Sequence, residues 1–287
     1  MESKQKKEPQ RTTQIPAMAV SKRFGQYRKE EKKEVRAADV NESETLRQLK
    51  TAWAAYERIR SSGGYSEQSY ERASGLILSK SLNYTSEDIE EFSLLLAGFQ
   101  HDENFSEKAG LFLSVLINNG KDESYIFHTR HLASPIDCFG CRNRKNVTVN
   151  GDVGAYAFQD MECGSVVIEG DALTTAAQWL SGGEVVIKGN TSRAGIAMKG
   201  GRIITEGHAG GMMGWMMEGG EIIAKGDVYS AGFEMRGGKI RIEGNAGVQV
   251  GSYMKGGEIH LEGSYESIAE DIQGGKIFHK GKLIVDK

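Results

Sequence analysis

The sequence predicts a chain that is α+β by segments: a small N-terminal helical module followed by a parallel β-solenoid of seven to eight coils of 18 or 19 residues. Three observations predict it. Glycine is segregated, with 29 of the 37 glycines between Gly151 and Gly281 and all three prolines before them. A Gly-Gly motif recurs across that region at alternating intervals of 19 and 18 residues. The stretch before it instead carries apolar residues at helical spacing.

Composition bounds the rest. The 287 residues fit one large domain or two ordinary ones, and 39% hydrophobic with 26% charged residues belongs to a folded chain. A net charge of −3 supplies no basic field for nucleic acid. No apolar run approaches the roughly 20 residues that span a bilayer, so no membrane role is expected. The polar start MESKQKKEPQ lacks the apolar core of a secretory signal. Three cysteines make no disulfide framework, so the expected setting is a reducing cytoplasm.

Residues 1–40 carry eleven Lys/Arg against six Asp/Glu and read as a disordered charged tail. Interleaved Glu30, Glu31 and Glu34 weaken its reading as a basic docking arm. Residues 41–120 read as four short amphipathic helices. The first places Leu46, Leu49, Trp53, Tyr56 and Ile59 on one face, with Asn41 or Ser43 as cap and Gly63–Gly64 as stop. The second runs from Ser66 to about Ser81. The third starts at Thr85–Ser86, with Glu87 and Asp88 favouring the helix dipole and an apolar face of Ile89, Phe92, Leu95, Leu96 and Phe99. The fourth starts at Ser106–Glu107, carries Leu111, Phe112, Val115 and Leu116, and ends at Asn119–Gly120. Residues 121–145 form a linker or first strands, and 146–287 the solenoid.

The repeat unit is G-x-[VI]-x-[VI]-x-G-[DN] followed by about eight residues ending in Met-x-Gly-Gly. The structural glycines are Gly164, Gly183, Gly201, Gly220, Gly238, Gly257 and Gly275. Each unit holds one four-residue strand with alternating inward pairs: Val166/Ile168, Val185/Ile187, Ile203/Thr205, Ile222/Ala224, Ile240/Ile242 and Ile259/Leu261. One such strand cannot bury its apolar side alone, so units must stack. Connections too short for a crossover helix, repeated in every unit, stack them in parallel. The outward charges support the register. After each Gly-Gly the chain reads Glu184, Arg202, Glu221, Lys239, Glu258, Lys276, alternating in sign, as stacked neighbours about 4.8 Å apart should. Met161, Leu180, Met198, Met217, Met235, Met254 and Ile272 form an apolar column. Asp152, Asp171, Asn190, His208, Asp227, Asn245 and Ser264 form a polar column suited to corners.

Residues 207–226 (GHAGGMMGWMMEGGEIIAKG) and 244–263 (GNAGVQVGSYMKGGEIHLEG) carry the pattern G-x-A-G-x-x-x-G-x-x-M-x-G-G-x-I. In this the chain resembles, over residues 146–281, the GXGXG domain that formylmethanofuran dehydrogenase shares with the C-terminal region of the large chain of glutamate synthase. The resemblance implies a right-handed β-helix with a structural role and no catalytic residues of its own. The third and fifth repeats lack the A-G step and the seventh has lost both inner glycines, and no amidotransferase, flavin or iron–sulfur region accompanies the domain, so neither activity is carried over. A left-handed acyltransferase helix would need an aliphatic residue every six positions, but six after Ile187 is Arg193.

His128, His131, Cys138 and Cys141 form H-x2-H-x6-C-x2-C, a spacing that suits tetrahedral zinc. The same residues also fit a strand whose histidines face opposite ways and cysteines buried against the first coil. The expectation is no bound metal, no cofactor and no catalytic residue. His279 is expected to cap the last coil. Residues 282–287 (KLIVDK) should continue the inward alternation through Leu283 and Val285, close a partial coil and dock on a second copy. The expected function is that of a non-enzymatic scaffold or assembly subunit with an unidentified protein partner, and a homo-oligomer. An accessory subunit of a multi-subunit oxidoreductase and a self-assembling structural protein are the alternatives.

Overall fold

The computed structural model describes residues 42–59, 66–101 and 104–287. The tail read in residues 1–40 and the Gly63–Gly64 stop lie outside them.

Among the described residues four helices come first: α1 (Glu44–Glu57), α2 (Glu67–Leu78), α3 (Ser86–Leu95) and α4 (Phe105–Asn119), with a 3-10 turn at Leu96–Phe99 after α3. Local chemistry places their starts. The Ser43 hydroxyl accepts from the Leu46 amide and Ser66 from that of Ser69. Thr85 and Asp88 cap each other reciprocally in a capping box. Trp53, with no exposed surface, sits at the centre of their shared core, 5.4 Å edge-to-face from Phe112.

The sheet has ten strands in sequence order. β1 (Ser124–His128), β2 (Asn146–Asn150), β3 (Ser165–Ile168), β4 (Glu184–Ile187), β5 (Arg202–Thr205), β6 (Glu221–Ala224), β7 (Lys239–Ile242), β8 (Lys255–Leu261) and β9 (Gly274–His279) are parallel to one another. β10 (Lys282–Asp286) is antiparallel to β9. This is a parallel β-solenoid of about eight turns. The register is the predicted one: Glu184 faces Arg202, then Glu221, Lys239, Glu258 and Lys276. A second ladder of single bridges links Ile136, Val153, Ala172, Thr191, Ala209, Val228, Ala246 and Tyr265 around the coil. Every predicted inward strand pair is buried, and so is the whole column from Met161 to Ile272.

Segment 121–145 is itself the first coil, since β1 pairs with β2 in register, Tyr125 beside Val147. The helices close this end of the stack. The Asn118 side chain donates to the Cys141 carbonyl at 3.0 Å, and the Ser114 hydroxyl accepts from the Cys141 amide at 3.0 Å. α3 covers the free edge of β1, where the Ser93 hydroxyl accepts from the His128 amide at 3.4 Å. Arg142 on the first coil binds Glu67 and Glu71 of α2 and lies 4.8 Å from the Tyr70 ring.

The Met-x-Gly-Gly motif has a packing cause. A Cβ on Gly238 would lie 2.7 Å from the Met217 methyl of the coil below, and Gly220, Gly257 and Gly275 stand likewise over Met198, Met235 and Met254. Each methionine therefore fills the space that a bare glycine leaves one coil later. The alternation of 19 and 18 also resolves. Thr175, Met212 and Gln249, all in longer coils, adopt positive φ of 55° to 61°, so the extra residue is absorbed as a left-handed bulge. In the shorter coil above, Ser230 and Ser267 hydroxyls accept from the Met212 and Gln249 amides at 3.0 Å.

The expected extra coil from residues 282–287 does not form. Lys280 and Gly281 have φ of 49° and 76°, a two-residue hairpin turn of the type that joins antiparallel strands. The chain reverses at once, and Leu283 ends 41% exposed on an edge strand while Val285 packs partly against the core.

Candidate functional site

The coil presents different chemistry on its different sides. On the sheet side two charge ladders flank an outward row containing Val167, Val186, Ile204 and Ile223, which face one another strand to strand. Arg202 lies between Glu184 at 3.4 Å and Glu221 at 3.3 Å. Lys188 reaches Glu169 at 2.7 Å and Lys225 reaches Glu206 at 2.8 Å. The Lys225 hydrogen bond lowers the pKa of the Glu206 carboxyl. Exposed pairs of this kind are worth little individually, and their effect is to set the register. Near the far end, His260 stacks on Phe278 at 4.5 Å and its bond to Glu258 lowers that carboxyl's pKa.

At the corner after each strand, the polar column is a hydrogen-bond ladder between coils. Asp152 Oδ1 accepts from the Asp171 amide at 2.8 Å, Asp171 from Asn190 at 2.7 Å, and Asn190 from His208 at 2.9 Å. His208 Nδ1 then accepts from Asp227 at 3.1 Å, Asp227 from Asn245 at 2.7 Å, and Asn245 from Ser264 at 3.1 Å. The carboxylates and amides are thus committed to backbone donors, as the corner reading requires. A shallow groove of about 430 Å³ beside them is lined by His208, Asp227, Tyr229, Asn245 and Ser264, among others.

Between the second ladder and the return to the sheet, the coil is aromatic. Trp215 meets Phe233 edge-to-face at 6.1 Å and Phe233 meets Tyr253 at 5.7 Å, a run of three rings across three coils. Trp179 is 40% exposed, Tyr253 46%, Met212 38% and Tyr229 63%. The Met212–Met217 cluster divides accordingly: Met213 and Met217 are buried, while Met212 is exposed and Trp215 and Met216 are half-buried. Sequence reasoning missed this strip. Its signal was available, because Trp179, Trp215, Phe233 and Tyr253 each stand one or two positions before a member of the methionine column. The corner geometry repeats as well: Asp160, Trp179, Ala197, Met216, Glu234 and Tyr253 all have φ of 49° to 58°. Left-handed non-glycine residues often mark a strained active site. Here their recurrence from coil to coil makes them part of the fold.

A cleft of about 690 Å³ lies at the junction with the helices, lined by Ser66, Glu67, Arg142, Asp160, Glu162, Trp179, Ser181 and Lys199. Its charges are largely matched within the chain, Arg142 by Glu67 and Glu162 by Arg144.

The four residues with zinc spacing are not brought together. His128 Nε2 lies 2.7 Å from Glu90 of α3, and His131 is exposed. Cys138 and Cys141 are buried, and the Cys141 thiol donates to the Cys138 carbonyl at 3.1 Å. Burial pushes the Cys141 pKa up, which keeps it a thiol and a poor ligand or nucleophile. Among the described residues, no group of three or more His, Cys, Asp or Glu side chains is arranged to hold a metal ion. His279 acts at the end of the stack, its Nε2 3.0 Å from the Gly263 carbonyl and its ring edge-on to Tyr265 at 5.0 Å. Among the described residues, no helix is long and apolar enough to cross a membrane. Compared with known proteins, the chain matches no family model and no curated sequence.

Proposed function

We propose that the chain is a non-enzymatic scaffold or assembly subunit, whose solenoid binds another protein through the aromatic strip of Trp215, Phe233 and Tyr253. The run of rings across three coils carries this reading. Aromatic side chains on a rigid support give large contact area at little cost in conformational entropy, and they dominate protein interfaces. On the charged side of the solenoid Arg202, Lys188 and Lys225 are paired with glutamates within the chain, so that side offers less to a partner. The GXGXG resemblance of residues 207–226 and 244–263 agrees with a structural role. Capture of the tagged chain from its native cells, beside a Trp215→Ser/Phe233→Ser variant of unchanged thermal midpoint, tests the proposal. The expected result is a protein retained in stoichiometric amount by the native chain and lost by the variant. The same proteins on both would contradict it.

A further inference from the structure

The groove of about 430 Å³ at the corner has walls that follow from the repeat. The single bridges linking Ala209, Val228, Ala246 and Tyr265 put the residues after them, Gly210, Tyr229, Gly247 and Glu266, in one outward column. Tyr229 therefore has a glycine in the coil below and another in the coil above, and it is 63% exposed. A Cβ on Gly247 would fall 2.5 Å from the Tyr229 carbonyl oxygen, so this position stays bare. The result is an open slot over Gly247, with Tyr229 on one side and Glu266 on the other. The two stand two coils apart, about 10 Å at the backbone.

The slot is rich in acceptors and has no cation of its own. Among its described lining residues Asp227 and Glu266 are acids, and there is no lysine or arginine. Asp227 uses one oxygen in the corner ladder, where Oδ1 accepts from the Asn245 amide. Its Oδ2 lies 3.6 Å from His208 Nδ1, which accepts from the Asp227 amide and so carries no hydrogen. Two acceptors thus face each other with no donor between them. Glu266 has no ion-pair partner among the described residues. An exposed tyrosine ring beside uncompensated carboxylates attracts a cation. A guanidinium suits the slot better than an ammonium, being flat, less strongly hydrated and able to donate in a fork to a carboxylate. The groove is shallow, so a free small molecule would bury little surface in it, whereas a side chain held by a docked protein needs less.

We infer that this slot receives an arginine side chain of another protein, with the guanidinium between Tyr229 and Glu266 and facing Asp227. The site is separate from the run of rings at Trp215, Phe233 and Tyr253, so it stands or falls independently of the scaffold reading.

Amide nitrogen–proton spectra of the full chain, titrated with a capped Gly-Arg-Gly peptide at low ionic strength, test it. The signals of Asp227, Tyr229, Gly247 and Glu266 should shift together, with a dissociation constant on the order of 1 mM. The same peptide with citrulline, which is neutral and of nearly the same shape, should bind roughly tenfold more weakly, and the lysine peptide severalfold more weakly. Asp227→Asn, Glu266→Gln and Tyr229→Ser should each weaken the arginine peptide about threefold. Asn190 and Asn245 hold the Asp227 position in other coils and Ser192 the Tyr229 position, so the fold has room for these changes, and unchanged thermal midpoints check it. No shift at the four amides, equal binding of the citrulline or lysine peptide, or variants that bind like the native chain would overturn the inference. Agmatine, a guanidinium without a peptide, should bind no tighter than the arginine peptide. Tighter binding would assign the slot to a small ligand and overturn the inference as well.

Discussion

Thr205 shows what a single position contributes. It occupies an inward strand position that other coils fill with Ile168, Ile187 or Ile242, and it is fully buried. Its hydroxyl has no hydrogen-bond partner among the described residues. Thr205→Val keeps the shape and removes a buried polar group, so it should stabilise the fold by about 1–2 kcal/mol in urea unfolding. A loss of stability would mean that the hydroxyl is satisfied. The cysteines give a second test at this scale. Cys138 and Cys141 are buried and the Cys141 pKa is raised by that burial, whereas Cys163 is exposed. A thiol reagent near pH 8 should therefore modify one cysteine in the native chain and three after denaturation. Rapid labelling of all three would contradict the burial. The inward Thr205 was legible from period-2 alternation alone. The fate of Cys138 and Cys141 was not, because a C-x2-C spacing looks the same in a metal site and beneath a packed helix.

At the scale of elements, the join between α4 and the first coil depends on Gly110. A Cβ there would fall 2.9 Å from Cys138 backbone and closer still to the Asp137 carbonyl, so the helix backbone rests directly on the coil. Gly110→Ala should destabilise the protein by about 2–3 kcal/mol, although alanine is the better helix former by about 1 kcal/mol. Gly75, in α2, has nothing within 4 Å of its Cβ position, so Gly75→Ala should stabilise by about 0.5–1 kcal/mol. Chemical unfolding of the two variants reads both signs, and a stabilising Gly110→Ala would mean that α4 stands off the coil. Helix starts at Ser43, Ser66 and Thr85 could be read from the sequence because caps are local chemistry. The contact of Gly110 with residue 137 could not, because it joins segments that the sequence keeps apart. The reversal at Lys280–Gly281 was likewise hidden, since Leu283 and Val285 alternate equally well for a parallel coil and for a hairpin. The positive φ of both turn residues and the antiparallel pairing of β10 with β9 distinguish them.

For the whole molecule, repetition made the sequence informative. About eight turns place equivalent residues in columns, so a spacing rule became a three-dimensional register, and sign-alternating charges such as Glu184, Arg202 and Glu221 marked which strands are neighbours. The same regularity obscured the candidate site. Trp179, Trp215, Phe233 and Tyr253 all stand beside the methionine column, but the left-handed corner turns Trp179 and Tyr253 outward while Trp215 and Phe233 stay half-buried. A partner that covers this strip leaves the charged sheet side open to solvent. Covalent footprinting of the chain in intact cells and after purification compares the two sides directly. Labelling at Trp215, Phe233 and Tyr253 should fall severalfold in cells, while that of Lys188, Lys225 and Lys239 on the sheet side stays unchanged. Equal labelling of the rings in both settings, or protection confined to the lysines, would contradict a scaffold that binds through its aromatic strip.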